Sequence, residues 1–119
     1  MIGRFLTQRG FSTVLAPSGK DALDALDRDP SIALVLLDIM MPEMSGVDVL
    51  REIMKRQDKP VVMMLSAVRD QEIAQRALDL GAFDYILKPF DLDALEVNVV
   101  AGLTQADYSH QSWWGRLSA

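Results

Sequence analysis

Three reactive side chains each stand at the end of an apolar run in this sequence. Asp38 follows ALVLL, Ser66 follows VVMML, and Lys88 follows YIL. A carboxylate beside an ammonium and a hydroxyl suits attack on an electrophile: the aspartate is the nucleophile, the lysine balances charge on the incoming group, and the serine donates a hydrogen bond to it. Phosphoryl transfer fits this set best, because it depends mostly on positioning and charge neutralisation.

The elements that must position these side chains are short apolar runs alternating with stretches of helical periodicity. The predicted strands are Phe11–Leu15, Ala33–Leu37, Val61–Leu65 and Tyr85–Leu87. The second and third are apolar on both faces, as central parallel strands are, whereas the first contains small polar residues and resembles an edge. This order predicts an α/β fold with a doubly wound parallel sheet, in which the carboxyl ends of the strands converge.

The predicted helices carry their own start and stop signals. Four capping residues mark helix starts: Ser18, Ser45, Asp70 and Asp91. The helix after Asp70 is expected to bury Ile73, Ala77 and Leu78 and to stop at Gly81, a left-handed C-cap position.

The beginning of the sequence departs from this pattern. Ile2, Phe5 and Leu6 before Gly10 predict the last two turns of an amphipathic helix with its C-cap. In a doubly wound sheet, the first helix normally follows a strand in the chain. One central strand is therefore expected to be absent.

Composition excludes several classes of function. The 119 residues suffice for one domain, and a net charge of −5 has the wrong sign for direct binding to nucleic acid or to an anionic membrane. Without cysteine, and with His110 as the single histidine, there is no thiolate zinc site and no multi-histidine metal site.

No signal peptide or membrane-spanning run is present, which favours a cytoplasmic protein. The sequence contains no glycine-rich phosphate-binding loop, so it gives no support to a small-molecule binder such as a flavin protein.

Three segments resemble the signature segments of the receiver domains of two-component response regulators, in the family's order and at its spacing. They are LVLLDIMMPEMSG (Leu34–Gly46), LSA (Leu65–Ala67) and GAFDYILKPF (Gly81–Phe90), and the match covers about Ile2 to Leu103. The resemblance implies a flavodoxin-like fold of strand order 2-1-3-4-5. It also implies a phosphoacceptor switch rather than a metabolic enzyme, with at most self-catalysed phosphotransfer and autodephosphorylation.

The resemblance implies a role for each matching residue. Asp38 would receive phosphate from a histidine kinase or phosphotransfer protein, Lys88 would supply the counter-charge, and Ser66 would be the switch hydroxyl. Tyr85 would be the aromatic that changes rotamer and passes the signal to a downstream effector domain or protein. Asp38 and the backbone carbonyl of Met40 would contact Mg²⁺.

One expected feature of the family is not found in the sequence. Receivers carry an acidic pair at the end of their first strand, and no such pair stands upstream of Gly10. Asp38 and one carbonyl make an incomplete magnesium site, so weak metal binding and impaired phosphorylation are expected. Three accounts stay open: a chain truncated at its start, a fragment completed by another chain, and a degenerate receiver.

Structural interpretations remain open beside the functional ones. Asp38 suits a turn, and its pairing with Lys88 is also what a structural ion pair would show. Tyr85 suits plain core packing. The resemblance alone predicts a cis Lys88–Pro89 bond. A phosphorylation-independent protein-interaction module on the receiver scaffold is the alternative function.

The tail completes the predicted organisation, with a receiver domain over 1–104 and a tail or linker over 105–119. Six residues of the last helix and the tail are spaced alternately by four and three: Val99, Leu103, Ala106, His110, Trp113 and Leu117. The tail is interpreted either as a linker or as a helical rod that forms a homodimer with a second chain.

Overall fold

In a computed structural model of the protein, the structure describes residues 2–40, 44–67 and 69–109, the last three by their backbone only. These ranges contain alternating helices and strands. In chain order they are α1 (Ile2–Gln8), α2 (Gly19–Arg28), β1 (Leu34–Asp38), α3 (Gly46–Met54), β2 (Val61–Ser66), α4 (Gln71–Leu80), β3 (Asp84–Leu87) and α5 (Leu92–Ser109).

The strands form a parallel sheet of order β1-β2-β3. Asp38, the last residue of β1, pairs with Leu65, and Ser66, the last residue of β2, pairs with Leu87. Lys88 follows β3 directly. The register therefore brings the ends of all three strands to one edge of the sheet, and the predicted parallel α/β fold is confirmed.

Helices cover both faces of the sheet. Side chains on a strand point alternately to its two faces, so β2 serves two cores at once. One core includes Val62 and Met64 with residues of α2, α3 and α4; the other includes Met63 and Leu65 with residues of α1 and α5. Because both faces of β2 are buried, its sequence reads as a continuous apolar run.

The predicted strand over Phe11–Leu15 is wrong for the described structure, where only Ser12 forms an isolated bridge. A strand is stabilised by hydrogen bonds to a neighbouring strand. Residues Thr13–Pro17 do not form such a strand, and they line an apolar cleft of about 420 Å³ together with all five residues of β1. Within the described ranges no strand pairs with the outer edge of β1. Val14 and Leu15 are consequently exposed, Leu15 to 90%.

The predicted starts of α2, α3, α4 and α5 are confirmed, and so are the predicted glycine caps after α1 and α4. The side chains of Ser18 and Ser45 accept hydrogen bonds from the backbone N–H groups of Asp21 and Asp48. Asp70 and Asp91 accept in the same way at the starts of α4 and α5. Glycines end two helices with positive φ, 94° at Gly10 after α1 and 118° at Gly81 after α4.

One residue predicted to be buried in the core is exposed in the structure. Leu78 is 42% exposed, whereas its neighbour Ala77 is fully buried. Successive helical residues are rotated by about 100°, so the buried stripe of α4, which includes Ala77 and the partly buried Ile73, leaves Leu78 at its margin.

The last helix extends to Ser109, and the predicted division between receiver domain and tail at 104 falls within it. Val99, Leu103 and Ala106, three of the spaced residues in the proposed rod, are buried in the domain's own core. His110, Trp113 and Leu117 lie outside the described residues. In the part of the chain that the structure describes, no helix is both long enough and apolar enough to cross a membrane.

Candidate functional site at the carboxyl edge of the sheet

An ion pair joins the ends of two strands that do not touch each other in the sheet. Lys88 Nζ donates a hydrogen bond to Asp38 Oδ2 at 2.9 Å. The backbone places the lysine, because its N–H donates to the carbonyl of Ser66 at 2.8 Å, one residue beyond the last pair of the β2–β3 ladder. Both charged side chains are 39% exposed, so the pair is open to an incoming molecule.

The carboxylate of Asp38 is held at both oxygens. Oδ1 accepts a hydrogen bond from the backbone N–H of Met40 at 3.0 Å, while Oδ2 accepts from Lys88. The next residue, Ile39, continues the pairing of β1 by donating its N–H to the carbonyl of Leu65 at 3.3 Å. The carboxylate is thus oriented by local backbone and by one cation.

Ser66 ends the strand between these two charged residues. It is fully buried and follows Leu65, the ladder partner of Asp38. Within the described ranges no buried polar side-chain atom lacks a hydrogen-bond partner. The side chain of Ser66 therefore lies inside the protein rather than at the surface, and its hydroxyl has a hydrogen-bond partner.

Tyr85 lies away from this cluster. It is the second residue of β3, pairs with Met64, and packs partly buried against the core on the side of α2, α3 and α4. It also lines an open hollow of about 450 Å³ that includes Asp70 and Leu78. Tyr85 thus has core contacts on one side and borders a surface hollow on the other.

The residues described do not form a magnesium site by themselves. No group of three or more Asp, Glu or His side chains is close enough together in residues 2–40, 44–67 and 69–109 to hold a metal ion. Mg²⁺ takes near-octahedral oxygen ligands. Asp38 supplies one carboxylate, already shared between the Met40 N–H and the Lys88 ammonium.

Gly46, the first residue of α3, has no role predicted from the sequence. Its N–H donates to the carbonyl of Ile39 at 2.8 Å, and its α-carbon lies against the backbone of Asp38. A signal was present in the sequence: a glycine directly after the capping serine is a weak helix former that the cap does not require.

Comparison with known proteins identifies similar molecules. A family model described as response regulator receiver domain matches residues 1–100. The regulatory protein AtoC of Escherichia coli is 36% identical over 129 residues, covering 98% of this chain and 28% of that protein. The response regulator RR06 of Streptococcus pneumoniae is 37% identical over 113 residues, covering 95% and 51%. This chain thus spans about half or less of their length.

A solved structure shows the same relationship in three dimensions. The receiver domain of NtrX from Brucella abortus superposes with a TM-score of 0.80 at 31% identity, and the match covers 87% of each chain.

Proposed function

The chain belongs to the receiver-domain family of two-component response regulators, and from that premise we propose that Asp38 is its phosphoacceptor. The observation that carries this assignment is the pairing of Asp38 Oδ2 with Lys88 Nζ at 2.9 Å at the carboxyl edge of the sheet. Open α/β sheets bind their ligands at this edge. A half-exposed carboxylate beside a cation is positioned to attack an anionic phosphoryl group.

The proposed step is an in-line displacement at phosphorus. A carboxylate oxygen of Asp38 forms the new O–P bond, the bond from phosphorus to the donor's leaving atom breaks, and the leaving atom keeps that electron pair. The ammonium of Lys88 shifts from the carboxylate towards the phosphoryl oxygens and offsets part of their charge. The hydroxyl of Ser66 donates a hydrogen bond to one of them.

The proposed partners follow from family membership. A histidine kinase or a phosphotransfer protein supplies the phosphoryl group, and a downstream effector domain or protein reads the result. The names of the similar proteins, a regulatory protein and a response regulator, support this proposal. Their greater length is consistent with further domains beside the receiver.

Phosphorylation of these 119 residues alone is expected to be impaired. Receiver domains bind Mg²⁺ at an acidic pocket, whereas no group of three or more potential metal-ligating side chains is found among the described residues. Lys88, whose ammonium pairs with Asp38, is the cation proposed to offset the charge of the phosphoryl oxygens. Charge neutralisation is a main source of rate in phosphoryl transfer, so a partial counter-charge predicts a slow reaction.

The signal is proposed to be a shift between two arrangements of the site. A phosphoryl group favours the arrangement with which it interacts more strongly. The difference between its interaction free energies with the two arrangements sets how far the equilibrium shifts. Tyr85 is three residues from Lys88 and borders the hollow against α4, so its movement would change the surface there.

A second candidate function keeps the scaffold without the chemistry. The incomplete set of metal ligands among the described residues favours a phosphate-independent interaction module. The two proposals differ in whether ligands of the acceptor site stabilise the protein.

Thermal unfolding of the 119-residue chain separates them. The chain is melted alone, with Mg²⁺, with beryllofluoride, which mimics an aspartyl phosphate, and with both. A ligand that binds only the folded state raises the melting midpoint. A rise with both additions, abolished by Asp38→Asn, supports the phosphoacceptor; an unchanged midpoint in a cooperative melt supports the interaction module.

A further inference from the structure

Gly46 approaches the backbone that carries the proposed phosphoacceptor. A β-carbon built at this position would lie 2.8 Å from Cα of Ile39 and 2.9 Å from the carbonyl carbon of Asp38, and closer still to the carbonyl oxygen of Asp38. All three are main-chain atoms at the end of β1. A side chain at residue 46 can therefore be accommodated only by moving the chain that holds the carboxylate.

The need for glycine here is one of space and not of backbone conformation. Gly46 is the first residue of α3, so its backbone is helical, and alanine favours a helix more than glycine does. Ser45 already caps α3 by accepting the N–H of Asp48. Neither the helix nor its cap calls for a glycine at residue 46.

The same contact is connected to the carboxylate through hydrogen bonds. The N–H of Gly46 donates to the carbonyl of Ile39 at 2.8 Å, which closes the loop between β1 and α3. Asp38 Oδ1 accepts from the N–H of Met40 in that loop, and Oδ2 accepts from Lys88. A shift of the Asp38–Ile39 peptide would change both hydrogen bonds.

We propose that Gly46 is a positioning residue for phosphoryl transfer: the space left by its missing side chain sets where the carboxylate of Asp38 stands relative to Lys88. The inference rests on the proposed role of Asp38 as phosphoacceptor. A displacement of about 1 Å in a reacting group can slow a reaction about a hundredfold, so the close approach has a direct consequence for rate.

The chain offers a closely matched control in Gly19. This residue is also the first of its helix, α2, and follows a serine whose side chain accepts the N–H of an aspartate three positions later. The three atoms nearest to a β-carbon at Gly19 would all belong to side chains outside β1, with Val49 Cγ2 at 2.5 Å and Met44 Sδ at 3.4 Å. Gly3 is a second control, because nothing lies within 4 Å of its β-carbon position.

The test compares Gly46→Ala, Gly19→Ala and Gly3→Ala in the 119-residue chain. A small acyl phosphate serves as phosphoryl donor, with the initial rate measured far below each melting midpoint. The backbone amide signal of Met40 is followed by NMR in the unphosphorylated proteins. We expect Gly46→Ala to melt cooperatively, to take phosphate about tenfold more slowly or worse, and to move the Met40 signal. Both controls should react within twofold of the unmodified chain and leave that signal in place.

The outcomes distinguish this inference from the function on which it rests. If the unmodified chain takes no phosphate on Asp38, the proposed function fails and the role of Gly46 falls with it. If the unmodified chain is phosphorylated and Gly46→Ala reacts equally fast, the role of Gly46 alone is overturned. A Gly46→Ala chain that does not melt cooperatively also overturns it, because the glycine would then serve folding rather than the position of Asp38.

Discussion

Lys88 Nζ and Asp38 Oδ2 are 2.9 Å apart although 50 residues separate them in the sequence. The parallel register explains the distance: β1 and β3 both pair with β2, and each ends at the same edge. The two charges face each other across the end of β2, where Ser66 is buried. One hydrogen bond thus connects the proposed nucleophile with its proposed counter-charge.

Replacing the carboxylate tests the acceptor directly. Asp38→Asn keeps the shape of the side chain and removes the nucleophilic oxygen, so acid-labile, hydroxylamine-sensitive phosphate should be lost completely. The amount of hydroxylamine-sensitive phosphate is measured by labelling with a radioactive phosphoryl donor, followed by hydroxylamine treatment. Asp48→Asn is the control, because Asp48 belongs to α3, pairs with Arg51 and should leave labelling intact. Label that persists in Asp38→Asn would refute the assignment.

Removing the cation separates chemistry from stability. Lys88→Met keeps an unbranched side chain one atom shorter and deletes the charge, so the phosphorylation rate should fall by about tenfold or more. The free energy of unfolding should change by less than about 1 kcal/mol, because the pair is 39% exposed at both ends and solvent screens it. Chemical denaturation and initial rates measure the two effects. A large loss of stability with an unchanged rate would indicate a structural ion pair instead.

The sequence allowed this site to be predicted because it depends on where strands end. Apolar runs that stop at Asp38, Ser66 and Lys88 suffice to place three strand ends, and parallel strands bring such ends together. The Lys88–Pro89 bond, predicted to be cis from the resemblance, is cis in the structure.

Other features depend on relations that a single sequence does not show. The apolar pattern of Phe11–Leu15 suggested a strand, but pairing requires a neighbour at the outer edge of β1, and the described structure has none there. Leu78 fits the helical pattern and lies just outside the buried stripe. The role proposed for Gly46 arises from a backbone approach across the loop between β1 and α3, which spacing alone does not reveal.

The buried hydroxyl of Ser66 should matter to both ligand and fold. Ser66→Ala removes the proposed donor to the phosphoryl group and should weaken binding of beryllofluoride, seen as a smaller rise in melting midpoint. It should also cost about 1 kcal/mol of stability, because the hydroxyl makes its hydrogen bonds inside the protein. Ser66→Thr restores the hydroxyl and should recover most of the ligand effect. If alanine binds the ligand as well as serine does, Ser66 is only a core residue.

The cleft beside β1 predicts an uneven response to substitutions of apolar residues. Ile53 of α3 is fully buried in the core, so Ile53→Ala should lower the free energy of unfolding by about 2 to 5 kcal/mol. Leu15 lines the cleft and is 90% exposed, so it makes few packing contacts. Leu15→Ala should therefore change the free energy of unfolding by less than about 0.5 kcal/mol. Denaturant titrations of the two variants under one buffer condition measure the contrast. Equal losses of stability at both positions would mean that Leu15 is buried in solution and that the cleft is closed there.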